Sequence, residues 1–238
     1  MERIKTATFA AVEGTILLAL VHWVSSWWAW PVAAGLWWFH SRGHDELVQR
    51  AAWAIALASL VVILSLNSNI VGQIIVIVGY VLWQLGQKHY ASTQQFRVVQ
   101  AAWLEFTALV AAFSAETIWH WPVAIVLVIV YLSSVAVALA FFAGSERAVR
   151  ALAAAWGLIV AEASFVFSVW LVGYVLPGNI LLVPQAAVVI TAVGYCFGSI
   201  YLAHSNAKLS KARLAEYAII GLCLVVIVIA GTRWSGAI

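Results

Sequence analysis

Nine apolar stretches follow one another through this chain, at 6–24, 27–41, 48–66, 70–87, 97–117, 122–144, 148–174, 179–204 and 212–232. At about 20 residues per bilayer crossing, nine spans use roughly 180 residues and leave about six for each connection and terminus. No soluble catalytic or ligand-binding domain fits in that remainder. A tethered kinase, a pump with its own ATPase and an external receptor domain are therefore excluded. The phosphate-loop pattern GxxxxGK[ST], the dinucleotide pattern GxGxxG and the metallopeptidase pattern HExxH are all missing from the sequence.

Composition agrees. Of the 238 residues, 65% are hydrophobic and 9% charged, against about 25% charged in soluble domains. The mean hydropathy is +1.02. A water-soluble fold of this size has too much surface to hide so many apolar residues. The stretches are too long for barrel strands, and a lipid-facing backbone must satisfy its own hydrogen bonds. The expectation is an all-α integral membrane protein, a single polytopic domain over 1–238 with about nine transmembrane helices. The second stretch is short, about 22 Å long as a helix. It must stand nearly upright, thin the bilayer or be shielded by neighbours.

Orientation follows from the cations. Arg3, Lys5, Arg42, Arg50, Lys88, Arg97, Arg147, Arg150, Lys208, Lys211 and Arg213 fall at the N-terminus or in alternate connections, all on one face. Only Arg233 falls on the other. The positive-inside rule then places the N-terminus in the cytoplasm and the C-terminus outside, as expected for a multi-pass protein of the plasma (inner) membrane. The first stretch holds Glu13 and lacks a small-residue cleavage site, so it is expected to be retained as a span. A net charge of +3, spread over short segments, serves topology and attraction to anionic lipid; no nucleic-acid partner is expected.

Trp23, Trp27, Trp28, Trp30, Trp119 and Trp121 sit where an outer aromatic belt belongs, and Trp37, Trp38, Trp83 and Tyr90 where an inner one does. The density of Trp on the second span also fits a wall for a pigment, quinone or lipid tail. Cys196 and Cys223 lie inside spans and read as small buried hydrophobes.

The spans suggest parallel hairpin repeats over 6–41, 48–87, 97–144 and 148–204, with a final helix over 212–232. Glu13 precedes Trp30-Pro31, Glu105 precedes Trp121-Pro122, and Glu162 precedes Leu176-Pro177. Ala51-Ala52-Trp53, Ala101-Ala102-Trp103 and Ala154-Ala155-Trp156 begin three inner segments. Independent turn chemistry explains the prolines equally well, because Pro suits the first helical position.

Intramembrane carboxylates carry the functional signal. Glu13 lies about 10 Å into its span, Glu105 at similar depth, Glu162 near the midplane and Glu216 one turn in. A charge at mid-membrane costs about 2.5–3.5 kcal/mol, and no Lys or Arg lies within a span to pair with them. They are either protonated and bonded to a neighbouring helix, or they face a wet cavity, a cation or a partner subunit. Glu116 shares a stripe with Glu105, about 20° off register and about 16.5 Å further along. Ser133, Ser134, Gln185 and Thr191 could line the same path. Pro184 and Gly194-x-x-x-Gly198 mark the eighth span for a kink or for close helix contact.

His40, His44, Asp45 and Glu46 could form a metal or acid–base group, but Gly43 interrupts that segment, so neither a metal nor a cofactor is expected. No lysine lies inside a span, which excludes a retinal Schiff base. Three functions remain: a transport protein (channel or carrier for a cation, proton or small solute) using Glu105, Glu162 and Glu13; a non-catalytic subunit of a larger membrane assembly, or a homo-oligomer; and, more remotely, a lipid-modifying enzyme at the cytoplasmic interface.

Overall fold

A computed structural model describes residues 2–42, 47–90, 94–141, 147–169, 173–175, 182–205 and 210–231. Nine α-helices run through them: α1 Glu2–Ala19, α2 Ser26–Ser41, α3 Leu47–Leu66, α4 Ile70–Tyr90, α5 Gln94–Trp119, α6 Val123–Phe141, α7 Arg147–Val169, α8 Gln185–Ser205 and α9 Lys211–Gly231. Six are long and apolar enough to cross a membrane: α1 with its continuation, α3, α4, α5, α7 and α8. The protein is an all-α membrane protein with several crossings.

The short turns explain themselves locally. After α1 the chain tightens into a π-helical turn, Leu20–Val24, in which Ser25 N–H reaches Leu20 carbonyl at 2.9 Å. Only Ser25 leaves helical geometry, and its Oγ accepts from Trp27 N–H. Between α3 and α4, Asn67 Oδ1 accepts from Asn69 N–H and Asn69 Oδ1 from Val71 N–H, so two orphan donors are capped. Gln73 Nε2 completes this turn by donating to the carbonyls of Leu64 and Asn67. At the end of α5, His120 takes a left-handed φ of 53°, and Pro122 carbonyl accepts from Ile125 and Val126 to start α6.

Two sequence expectations change here. The stretches at 148–174 and 179–204 read as continuous helix, but α7 stops at Val169 and a two-stranded antiparallel hairpin intervenes. It pairs Gly173 with Pro184, Tyr174 with Val183 and Val175 with Leu182. Gly173, Pro177, Gly178 and Pro184 all disfavour helix, while Tyr174, Val175 and Val183 favour strands. Pro184 therefore ends the second strand immediately before α8 and does not kink that helix. Pro31 departs in the opposite sense: it lies inside α2, beyond the first turn, not at the helix start.

Two cores hold the bundle together. One joins α1–α4 around Leu17, Leu57, Val61 and Leu64. The other joins α5–α8 to the C-terminal half of α3 around Leu109, Phe113, Val130 and Val160. The packing is not confined to sequence neighbours: α1 leans chiefly on α4 and α5 on α8, beside the adjacent pairs α2 with α3 and α6 with α7. Gly14 permits the first contact, since a Cβ there would stand 2.8 Å from Ile77 Cγ2. Gly157 does the same for α6 and α7, where a Cβ would meet Val135 at 2.5 Å.

The aromatic residues divide. Trp23, Trp27, Trp28 and Trp38 are exposed, as headgroup-level residues should be. Trp83 is buried and belongs to no belt; its ring meets Trp53 edge-on and stacks on Tyr80. The side chain of Tyr90 lies outside the described residues. Each Trp of the Ala-Ala-Trp triplets docks on a neighbouring helix. Trp103 covers Gly79 of α4, Trp156 covers Gly194 of α8, and Trp53 stacks on His40 with centroids 4.0 Å apart. Gly194 thus makes room for an indole ring of α7. Cys223 is exposed and Cys196 half-buried, so neither is the fully enclosed hydrophobe expected.

Candidate functional site

The carboxylates do not share one environment. Glu13 is 2% exposed and fully engaged. Its Oε1 lies 2.8 Å from His40 Nε2, a bond in which the ring nitrogen donates when the carboxylate is ionised. Its Oε2 accepts from Tyr80 hydroxyl at 3.1 Å and from Gln84 Nε2 at 2.7 Å. Three helices build the cluster: α1 supplies the carboxylate, α2 the imidazole, and α4 two donors one turn apart on a single face. The His40–Trp53 stack, nearly parallel at 2°, fixes the ring plane from α3.

A recess of about 510 Å³ reaches this cluster. It is lined by Lys5, Thr6, Phe9, His40, Gln84 and Gln87, with Trp53 at its wall. Lys5 and Phe9 are exposed at the rim. Beyond Glu13, one turn further along α1, Leu17 is wholly buried in the apolar core. The recess therefore lies toward the N-terminal end of α1, and the next turn of that helix beyond Glu13 is packed in apolar core.

Glu105 is also buried, at 4% exposure, yet only half engaged. Ser134 of α6 donates its hydroxyl to Oε1 at 2.6 Å. Glu105 Oε2 is buried with no hydrogen-bond partner, as is Thr191 Oγ1 of α8. Glu105 and Thr191 line one cavity, of about 330 Å³, whose wall is otherwise almost wholly apolar. Of the four expected path-lining residues, Ser134 and Thr191 come to Glu105. Ser133 turns its hydroxyl back to the Val130 carbonyl of its own helix. Gln185 is buried at the start of α8 and does not line the Glu105 cavity.

Glu162 stands on an exposed face of α7, among the exposed side chains of Leu158, Ile159, Phe165 and Val166. It lines neither the Glu13 recess nor the Glu105 cavity. Glu116 is half-buried near the end of α5, with Oε2 buried and unpaired. Glu216 is exposed. His44, Asp45 and Glu46, candidates for interfacial chemistry, lie outside the described residues. Among the described residues no group of three or more His, Cys, Asp and Glu is placed to hold a metal.

Tyr80 and Gln84 are the partners of Glu13 that sequence reasoning missed. The signal was present: they are spaced i, i+4, and Gln73 and Gln84 are eleven apart, as Glu105 and Glu116 are. The fourth span was passed over because it carries no carboxylate. With this geometry in hand, comparison adds no relative: no family model, no curated protein and no solved structure matches the chain.

Proposed function

We propose that this chain is a membrane transport protein that moves a proton or a small cation, with Glu13 as the carrier group and His40 as its gate to the aqueous side. The observation that carries the reading is the buried Glu13–His40–Tyr80–Gln84 cluster, which His40 and Gln84 connect to a recess that Lys5, Thr6 and Gln87 also line. A carboxylate in direct contact with an imidazole can pass a proton along one hydrogen bond. The Tyr80 and Gln84 donors hold Oε2 in place while Oε1 exchanges with the ring. Intramembrane ionisable groups that pair with one another are the usual components of proton relays. The Lys5 and Gln87 side of the recess is the cytoplasmic side under the positive-inside orientation of a plasma (inner) membrane protein.

Reconstitution in liposomes with an internal pH-sensitive dye tests this. Wild-type protein should collapse an imposed pH gradient when a potential drives it. Glu13→Gln should abolish the flux, and His40→Gln should slow it by about a hundredfold, the lower end for a lost acid–base group. Equal flux in wild type and Glu13→Gln would overturn the reading.

A second reading has its own observation. Glu162, exposed on an apolar helix face at the depth of the bilayer, suits a subunit that meets a membrane partner through that face. Under this reading, wild-type protein drawn from native membranes brings the partner with it and Glu162→Leu does not.

A further inference from the structure

We propose that the cavity floored by Glu105 is a binding site, entered from the lipid, for a lipophilic organic cation: an apolar molecule bearing a protonated amine. The site shares no residue with the Glu13 cluster, and the proposal does not depend on the transport reading.

Four observations converge on it. The cavity lies between α7 and α8, which touch little along their length, and its rim residues Leu152, Ile159 and Phe197 are exposed. In a bilayer that mouth faces acyl chains, so an occupant arrives from the membrane. At about 330 Å³, the volume falls at the lower end of the range of about 300–1,000 Å³ for small-molecule pockets. Glu105 lines the floor; its Oε2 is buried and without a partner, while Oε1 is pinned by Ser134. Thr191 Oγ1 is buried and unpaired in the same cavity.

Those unsatisfied groups set the chemistry. A buried carboxylate oxygen and a hydroxyl, each lacking a partner, cost free energy until a donor fills the site. No Lys, Arg or His lines the cavity, so the counter-charge of an ionised Glu105 would come with the occupant. Trp156, Tyr195 and Tyr201 contribute rings to the wall, and aromatic faces attract organic cations. A metal ion is a poor fit, since hard divalent cations need about six oxygen ligands and this cavity offers one carboxylate and one hydroxyl. An ammonium group suits both kinds of acceptor: it can donate to a carboxylate or a hydroxyl oxygen that turns into the cavity, while its apolar body fills the hydrocarbon-lined volume.

The test is equilibrium binding of radiolabelled 1-naphthylmethylamine to the full chain in lipid nanodiscs, with the uncharged 1-naphthylmethanol as its counterpart. The amine should bind saturably and at least tenfold more tightly than the alcohol. Glu105→Gln should weaken the amine at least tenfold and leave the alcohol within about twofold, removing the preference for charge. Ala155→Trp, on the exposed rim, should exclude both probes while leaving Glu105 and its Ser134 bond intact; circular dichroism establishes that each variant is folded. No saturable amine binding by folded wild type overturns the proposal. So does equal binding of amine and alcohol, which would mark a neutral hydrogen-bonding ligand. Amine affinity unchanged by Glu105→Gln would overturn it as well.

Discussion

The α1–α4 half and the α5–α8 half each bury one carboxylate about equally deeply, and they treat it in opposite ways. Glu13 meets three donors from two other helices and leaves neither oxygen unused. Glu105 meets one serine and leaves an oxygen without a partner beside an apolar cavity. The difference teaches that burial alone does not define what an intramembrane carboxylate is for. A satisfied network is rigid and suited to moving something as small as a proton along bonds that already exist. A half-satisfied one holds capacity for a group the protein does not supply.

The largest expected effect that could break this contrast is on stability. Glu13→Leu removes three hydrogen bonds, two of them buried, worth roughly 0.6 kcal/mol each in a membrane protein, and orphans their donors, so a loss of about 2–4 kcal/mol is expected. Glu105→Leu, which gives up a single bond, should cost under about 1 kcal/mol. Denaturant unfolding in mixed micelles measures both, and equal costs would erase the distinction between the halves. Next in size is Gly14→Leu, whose side chain would collide with Ile77 and separate α1 from α4. Overpacking of this kind costs about 1–3 kcal/mol. It should also reduce dye-reported proton flux without changing amine binding, because only one half of the molecule moves.

Smaller effects sharpen the comparison. Tyr80→Phe removes one of the two donors on Glu13 Oε2 and should cost about 0.6 kcal/mol. Flux should persist at a reduced rate, because Gln84 still holds the oxygen. Ser134→Ala should cost a similar amount, about 0.6 kcal/mol, and should leave amine affinity equal or higher, because Glu105 Oε1 becomes free as well. A fall in amine affinity would show that Ser134 positions the carboxylate.

The helices were largely legible from the chain. The apolar stretches at 27–41 and 48–66 coincide with the helices Ser26–Ser41 and Leu47–Leu66 within one residue. Their ends are written locally, in Ser25 and in the asparagines at 67 and 69. The strand pair at 173–175 and 182–184 was not legible, because Tyr174, Val175 and Val183 are as apolar as their helical neighbours and periodicity cannot separate short apolar runs. The sites were legible only in part. Glu13 and Glu105 are rare enough in apolar spans to be singled out. Glu162 looks identical in that reading, and the structure puts it on an outer face. Trp83 reads as a belt residue and is packed inside. Neither distinction could be drawn without knowing which helix faces which.

The sequence by itself determined the solvent and the element type. A chain this apolar belongs in lipid, and in lipid each backbone must satisfy its own hydrogen bonds, so helices of membrane length follow from composition and spacing. Only the tertiary structure decided which polar groups meet. Glu13, His40, Tyr80 and Gln84 lie up to 71 positions apart, and no local pattern links them. Their meeting depends on α1 packing against α4 and not against its neighbour in the chain, a choice made by side-chain fit at positions such as Gly14 and Ile77. The same kind of choice keeps α7 off α8 and leaves Glu105 an open place beside it.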